Sequence, residues 1–130
     1  MSKVIIYSGF DQTSNEAKVA GILANYFDRD VTVLKPVNRF KIRTPDYVID
    51  GVFYELKTIK SPKANKVEDR IKEAVGQANR IVIDIRSTRI HENRASEIIH
   101  EIIKKNKKIH QVLLIASDKR NQPKILDFKR

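Results

Sequence analysis

Residues 44–57 carry the strongest structural signal in this chain, and they read Thr44-Pro45-Asp46-Tyr47-Val48-Ile49-Asp50-Gly51-Val52-Phe53-Tyr54-Glu55-Leu56-Lys57. Asp50-Gly51 lies between two β-prone runs, and this dipeptide is typical of two-residue hairpin turns. Counting outward from that turn places Asp46 opposite Glu55. Because side chains alternate along a strand, Lys57 is expected on the same face as Glu55.

Two carboxylates that face each other across a strand pair destabilise that pair. The sequence therefore either leaves Asp46 and Glu55 in water, with Lys57 as an ordinary ion-pair partner, or holds a cation between them. Val48 and Phe53 are expected on the same face, which indicates that this face is at least partly covered. The tyrosines of the hairpin alternate to the opposite face and are predicted to be core residues.

The composition narrows the class of protein. A chain of 130 residues with 41% hydrophobic residues predicts a single domain over residues 1–130 with a real core. The absence of cysteine excludes disulfides and thiolate metal sites. No apolar run approaches the length of a membrane span, and the N-terminus does not have the pattern of a signal peptide.

The net charge of +10, from 26 basic and 16 acidic residues, favours a polyanionic partner. We expect nucleic acid and no membrane, because no basic amphipathic helix with a bulky apolar face is present. The open alternative is a soluble basic protein without such a partner.

Helical and extended patterns alternate along the rest of the chain. Helices are predicted at about 14–27, from an opening at 61–65 to 78, and at 93–105. Strands are predicted at 4–7, 31–34, 81–85 and 112–116, with 124–128 as a short edge strand or a tail. This order predicts an α/β fold with a mixed central β-sheet and helices on both faces. Asp84 interrupts an apolar strand and is expected to be a buried, satisfied polar group or a support for the site.

Pro45-Asp46, followed by Glu55-Leu56-Lys57 on the next strand, resembles the PD-(D/E)XK nuclease motif. The order of elements over residues 14–85 resembles the core of that superfamily. The chain is most similar to the C-terminal nuclease domains of bacterial contact-dependent growth-inhibition toxins. Those domains often carry a glutamate on the first helix and a Gln-Ala near the end of the following helix, and this chain has Glu16 and Gln77-Ala78 in those places.

The resemblance implies a metal-dependent endonuclease whose catalytic residues are Glu16, Asp46, Glu55, Lys57 and Gln77. The two hairpin carboxylates and the backbone carbonyl of Leu56 would bind a divalent cation, expected to be Mg²⁺, with Mn²⁺ or Zn²⁺ as alternatives. Lys57 would orient water or stabilise charge on the phosphoryl oxygens. Two residues have structural alternatives: Glu16 closes a capping box with Thr13, and Gln77 is a helix-surface residue.

Basic residues flank the hairpin on both sides and are expected to hold a nucleic-acid backbone there. They are Lys35, Arg39, Lys41 and Arg43 before it, and Lys60, Lys63 and Lys66 after it. The resemblance implies tRNA as substrate, with DNA possible, and a cognate immunity protein as partner. It also implies action in a bacterial cytoplasm after delivery as part of a larger secreted protein. The alternatives are a DNA-cleaving toxin or resolvase-type nuclease, and a non-catalytic nucleic-acid-binding or assembly module with the same fold.

Overall fold

The predicted hairpin forms, and its turn and paired residues lie in the first of two units into which contacts divide the chain. The computed structural model describes residues 2–37 and 44–130. The units are residues 1–55 and residues 56–130, and the division lies within one strand. The prediction of a single domain stays a prediction. The described residues form three helices and seven strands.

The first unit contains a four-stranded sheet in the order β1-β2-β3-β4 and one helix. Strand β1 is parallel to β2, whereas β2, β3 and β4 pair antiparallel. The elements are β1 (Val4–Ile5), α1 (Asn15–Phe27), β2 (Val31–Val33), β3 (Tyr47–Ile49) and β4 (Val52–Thr58), whose last three residues belong to the second unit.

The turn between β3 and β4 has the geometry that its sequence predicts. Asp50 has φ 50° and Gly51 has φ 74°, so both central residues are left-handed, as a type I′ turn requires. The pairing register runs from Ile49 opposite Val52 to Tyr47 opposite Tyr54. The prediction of the hairpin and of its register over these residues is confirmed.

One face of helix α1 and one face of the first sheet form a common core. The helix buries Val19, Ala20, Leu23 and Ala24, and the strands bury Val31, Val33, Tyr47, Ile49 and Tyr54. Burying a side chain such as that of Leu23 stabilises the fold by about 2 kcal/mol. This packing places the first turn of the helix over β3.

The second unit contains two further helices and three strands. They are α2 (Asn65–Ala74), β5 (Arg80–Asp84), α3 (Glu92–Lys105), β6 (Gln111–Ser117) and β7 (Pro123–Lys129). Strands β5 and β6 are parallel, and β7 pairs antiparallel with β6 over seven residue pairs. The C-terminal segment is thus a full strand, and its Leu126 and Phe128 pack against the core of this unit.

Helix α2 is shorter than predicted at both ends. It begins at Asn65, so Pro62 lies before the helix and not in its first turn. It ends at Ala74, and a turn over residues 75–77 follows. Gly76 in this turn has a low helix propensity, which explains why the apolar spacing up to Ala78 does not continue the helix.

The near-continuous apolar runs form the central strands of the second unit. In β5 all residues from Ile81 to Asp84 are buried, and in β6 all residues from Gln111 to Ala116 are buried. Helix α3 buries Ala95, Ile99, Ile102 and Ile103. The α/β class, with parallel and antiparallel strand pairs, is confirmed. Within the described ranges, no helix has the length and apolar character that crossing a membrane requires.

Candidate active site

Helix α1 and the hairpin bring two of the predicted carboxylates into one electrostatic environment. Glu16 lies in the first turn of α1, and Asp46 lies directly before β3. Burial, followed by the negative charge of Asp46, raises the pKa of Glu16 from an ordinary value of 4.5 to about 7. Glu16 therefore exchanges a proton near neutral pH, which a general acid or base requires.

The backbone of Asp46 is fixed on both sides by neighbouring chain segments. Its N–H donates to the carbonyl oxygen of Tyr54 at 3.1 Å, and its carbonyl oxygen accepts from the N–H of Leu34 at 2.9 Å. The paired register of the hairpin ends one step earlier, at Tyr47 and Tyr54. Asp46 precedes Tyr47 and Glu55 follows Tyr54, so both lie next to the last observed pair. Their direct opposition stays a prediction.

Glu55 is a buried carboxylate. It is 4% exposed, and its neighbour Tyr54 is 6% exposed, so the alternation of burial is interrupted here. Phe53, which precedes them, is 52% exposed. The expected partial cover of this face is therefore present at Glu55 and, in part, at the half-buried Val48, but not at Phe53. The alternative that both carboxylates lie in water is wrong for Glu55.

Tyr47 positions the backbone of Glu16. Its side chain is fully buried, and its hydroxyl donates a hydrogen bond of 2.6 Å to the carbonyl oxygen of Glu16. The sequence predicts both hairpin tyrosines as core residues, which is confirmed, but it does not reveal this bond. The available signal was chemical: a buried tyrosine hydroxyl needs a hydrogen-bond partner.

The structural alternative for Glu16 is wrong. Helix α1 begins after Ser14, whose hydroxyl oxygen accepts from the N–H of Ala17 at 3.2 Å. Thr13 instead donates its hydroxyl and its N–H to the carboxylate of Asp11. A capping box needs Glu at the third helical position, which here is Ala17. Glu16 precedes that position and does not close the box.

Three predicted catalytic or metal-binding residues belong to the second unit, and all three are half-buried: Leu56, Lys57 and Gln77. Leu56 and Lys57 lie in β4. Gln77 lies in the turn after α2, where its N–H donates to the carbonyl oxygen of Ala74 at 2.8 Å. Its side-chain Oε1 is buried and has no hydrogen-bond partner among the described residues. Gln77 is therefore not a helix-surface residue.

The predicted nucleic-acid-binding residues divide into three kinds. Lys35, Lys60 and Lys63 are exposed. Lys66 forms an ion pair of 3.8 Å with Asp69, one turn along α2. Arg39, Lys41 and Arg43 lie outside the described residues.

The carboxylates supply oxygen donors, which suit a hard cation such as Mg²⁺. Among residues 2–37 and 44–130, no group of three or more His, Cys, Asp or Glu side chains is arranged to hold a metal ion. A metal site built on Asp46 and Glu55 would therefore complete its shell with backbone oxygens and water, as the predicted role of the Leu56 carbonyl implies. The metal site stays a prediction.

Comparisons with known proteins identify the family. The toxin and immunity complex CdiA-CT/CdiI from Burkholderia pseudomallei contains a chain with a similar fold, at a TM-score of 0.69 and 21% identity, with 100% of both chains covered. No curated protein matches the sequence. The family model described as "Contact-dependent growth inhibition CdiA C-terminal domain" matches residues 43–120, which is more than half of the chain. The chain therefore belongs to the family of C-terminal toxin domains of contact-dependent growth inhibition proteins.

Proposed function

We propose that this toxin domain is a divalent-metal-dependent endonuclease of the PD-(D/E)XK type that cleaves tRNA. The observation that supports the proposal best is the raised pKa of Glu16, about 7, which burial and then the negative charge of Asp46 cause. Glu55 adds a buried carboxylate in the same unit. Carboxyl groups whose pKa is raised by burial and by a neighbouring charge are typical of functional sites.

Asp46, Glu55 and the carbonyl oxygen of Leu56 would hold the cation. When bound, a divalent cation would neutralise the phosphate and make a bound water more acidic. Glu16 accepts a proton at neutral pH and acts as the general base. Tyr47 keeps the helix turn that carries Glu16 in place through its hydrogen bond to the Glu16 carbonyl.

Lys57 and Gln77 complete the proposed set of catalytic residues. Lys57 is the second residue after Glu55 in β4, and the alternation of side chains along a strand favours the same face for both. Its ammonium group would stabilise negative charge on the phosphoryl oxygens. The buried Oε1 of Gln77 can accept one more hydrogen bond, which a substrate group or a water molecule would donate.

The substrate assignment depends on charge and on family. A net charge of +10 favours a polyanion, and the resemblance to tRNA-cleaving toxin domains favours RNA. The test is incubation of the purified protein with tRNA and with plasmid DNA, with Mg²⁺ or with EDTA. We expect tRNA cleavage that needs Mg²⁺, is lost in Asp46→Asn and is kept in Asp28→Asn. Asp28 is an exposed residue at the end of α1 with φ 51°, a conformation that asparagine adopts readily.

Other outcomes of this assay would contradict parts of the proposal. Cleavage that persists in EDTA or in Asp46→Asn would exclude the metal nuclease. Cleavage of plasmid DNA with intact tRNA would keep the chemistry and replace the substrate.

We also propose that the domain acts in a bacterial cytoplasm and that a cognate immunity protein neutralises it. The similar solved chain is in a complex of a toxin and an immunity protein. The net charge of +10 favours an acidic binding surface on such a partner. Expression of the chain inside bacteria should arrest growth, and Asp46→Asn should not. Co-expression of the immunity protein should restore growth, and its binding should weaken as salt is raised. Normal growth with the soluble wild-type protein would contradict the toxin assignment.

A further inference from the structure

The second unit has a polar pocket of its own, with a volume of about 280 Å³. It lies where the parallel strands β5 and β6 end, at Asp84 and Ser117. In open α/β sheets, ligands bind in the crevice at the carboxyl ends of parallel strands. The polar residues that line the pocket are Arg86, Thr88, Arg89, His91, Glu92 and Ser117.

A buried carboxylate fixes the orientation of one arginine in this pocket. Asp84 is 1% exposed, and its two oxygens accept from Nε of Arg86 at 3.0 Å and from Nη2 at 2.9 Å. The N–H of Arg86 also donates to Asp84 at 3.0 Å. This bidentate contact confirms that the buried Asp84 carboxylate has hydrogen-bond partners. It also holds the guanidinium of Arg86 in one plane at the pocket wall.

The remaining charges make the pocket positive. Arg89 is exposed and has no ion-pair partner among the described residues. The acidic lining residue, Glu92, is neutralised by an ion pair of 2.6 Å with Lys124. His91 accepts the N–H of Asn93 at Nδ1 as the cap of α3. The pocket thus combines one oriented and one unpaired guanidinium, and a planar guanidinium matches the geometry of a phosphate group.

A purely structural role would explain only part of this arrangement. The Asp84–Arg86 pair alone could serve to fix the loop after β5. Arg89, however, is exposed and makes no ion pair within the described residues, so its positive charge is available to a ligand in the pocket.

We propose that this pocket binds a phosphodiester group of the nucleic-acid substrate through Arg86 and Arg89, with Asp84 as a positioning residue. The inference rests on the proposed function for the identity of the ligand. The second unit would thus contact one phosphate of the substrate, separately from the proposed catalytic residues of the hairpin.

The first test measures tRNA binding by fluorescence anisotropy at several salt concentrations, in the Asp46→Asn background to prevent cleavage. Arg89→Gln should weaken binding about fivefold or more and reduce the slope of log affinity against log salt by about 1, as the loss of one phosphate contact predicts. Arg94→Gln is the matched control, because Arg94 is an exposed arginine that already pairs with Glu97 at 3.2 Å. An Arg89 variant that binds like the Arg94 variant would overturn the inference.

Arg86 needs a paired substitution, because its loss alone would leave the Asp84 carboxylate buried without its cation and endanger folding. The double variant Asp84→Asn/Arg86→Gln removes both charges. It should reduce affinity and salt slope like Arg89→Gln. A folded double variant with unchanged binding would likewise contradict the inference.

The second test separates this inference from the proposed function. Titration with inorganic phosphate, followed by NMR, should shift the amide signals of Thr88, Arg89 and Ser117 in the wild type and much less in Arg89→Gln. Absence of these shifts would overturn the inference even if the protein cleaves tRNA. If the shifts occur but the protein neither binds nor cleaves nucleic acid, the proposed function fails and the pocket remains an anion site. Binding of AMP that depends on Arg89, without such dependence for tRNA, would exclude the phosphodiester.

Discussion

The hydroxyl of Tyr47 donates a hydrogen bond of 2.6 Å to the backbone carbonyl oxygen of Glu16. This bond joins the first strand of the hairpin to the first turn of helix α1 across 31 residues of sequence. Glu16 and Asp46 thus share one environment because a buried tyrosine connects the two segments that carry them. The arrangement of the proposed site depends on a core residue as well as on its charged groups.

Replacement of Tyr47 tests whether its hydrogen bond holds Glu16 in place. Tyr47→Phe keeps the ring but removes the hydrogen bond, and we expect a loss of about 1 kcal/mol in the free energy of unfolding. Cleavage should also slow, because the turn that carries Glu16 is less firmly held. Tyr7→Phe is the control, since its contact is the edge-to-face packing of its ring with Phe10 at 5.3 Å, which phenylalanine retains. Urea unfolding measures the first effect, and equal losses in both variants would refute it.

The stability of the protein should depend on pH through Glu16. Its pKa in the folded state, about 7, lies above the ordinary value of 4.5, so the folded state holds the proton more tightly. The wild type should therefore lose stability as pH rises from about 4.5 through 7, and Glu16→Gln should not. The variant should be more stable than the wild type at about pH 8, by about 1–2 kcal/mol after allowance for the partial exposure of Glu16, and equal to it at about pH 4. A difference between the two proteins that does not change with pH would contradict the shift.

The same residue should control the pH dependence of cleavage. If Glu16 is the general base, kcat/KM should rise with pH and level off above about 7. Glu16→Gln should lower kcat/KM by about 10²–10⁴-fold and flatten this rise. A profile that keeps its rise in the variant would assign the proton transfer to another group.

A divalent cation should stabilise the folded protein. With Mg²⁺ at about 100 times its dissociation constant, the free energy of unfolding should increase by about 2.7 kcal/mol. Asp46→Asn and Glu55→Gln should each remove most of this increase, whereas Asp28→Asn should keep it. Thermal and urea unfolding with and without Mg²⁺ measure this effect, and an increase that survives in both variants would place the metal elsewhere.

Two glycines should respond in opposite directions to alanine. Gly51 has φ 74°, and no atom lies within 4 Å of the position that a β-carbon would take, so Gly51→Ala costs only conformational strain, about 1–2 kcal/mol. Gly21 lies inside α1 with equally open surroundings, and Gly21→Ala should stabilise by about 1 kcal/mol. Urea unfolding measures the free energy of unfolding of both variants. An unchanged value for Gly51→Ala would contradict the strain expected at the turn.

Local chemistry makes part of this structure predictable. The Asp50-Gly51 turn and the apolar run of β6 depend on conformational preference and burial, which neighbouring residues reveal. The end of α2 differs from the prediction because a favourable apolar spacing continues beyond Ala74, while the chain turns at Gly76. The start of α1 differs by one residue, since Thr13 and Ser14 are both capable of capping.

The site depends more on distant contacts than on local pattern. Its candidate residues can be selected from the sequence, because carboxylates beside a tight turn stand out in an apolar context. The burial of Glu55 and the bond between Tyr47 and Glu16 cannot, since both depend on packing between segments that are far apart in the chain. The Asp84–Arg86 contact is also beyond prediction as an oriented pair, although the burial of Asp84 is expected.

The two-residue turn at Asp50-Gly51 also limits how the length of this protein can vary. Surface loops ordinarily accept insertions and deletions. Here a single added residue in the turn would shift the register of β4 and exchange its two faces, so that Glu55 would take the orientation of Tyr54. The hairpin would keep its composition and lose its proposed site. In functional relatives, substitutions at the turn are therefore easier to accommodate than any change in its length.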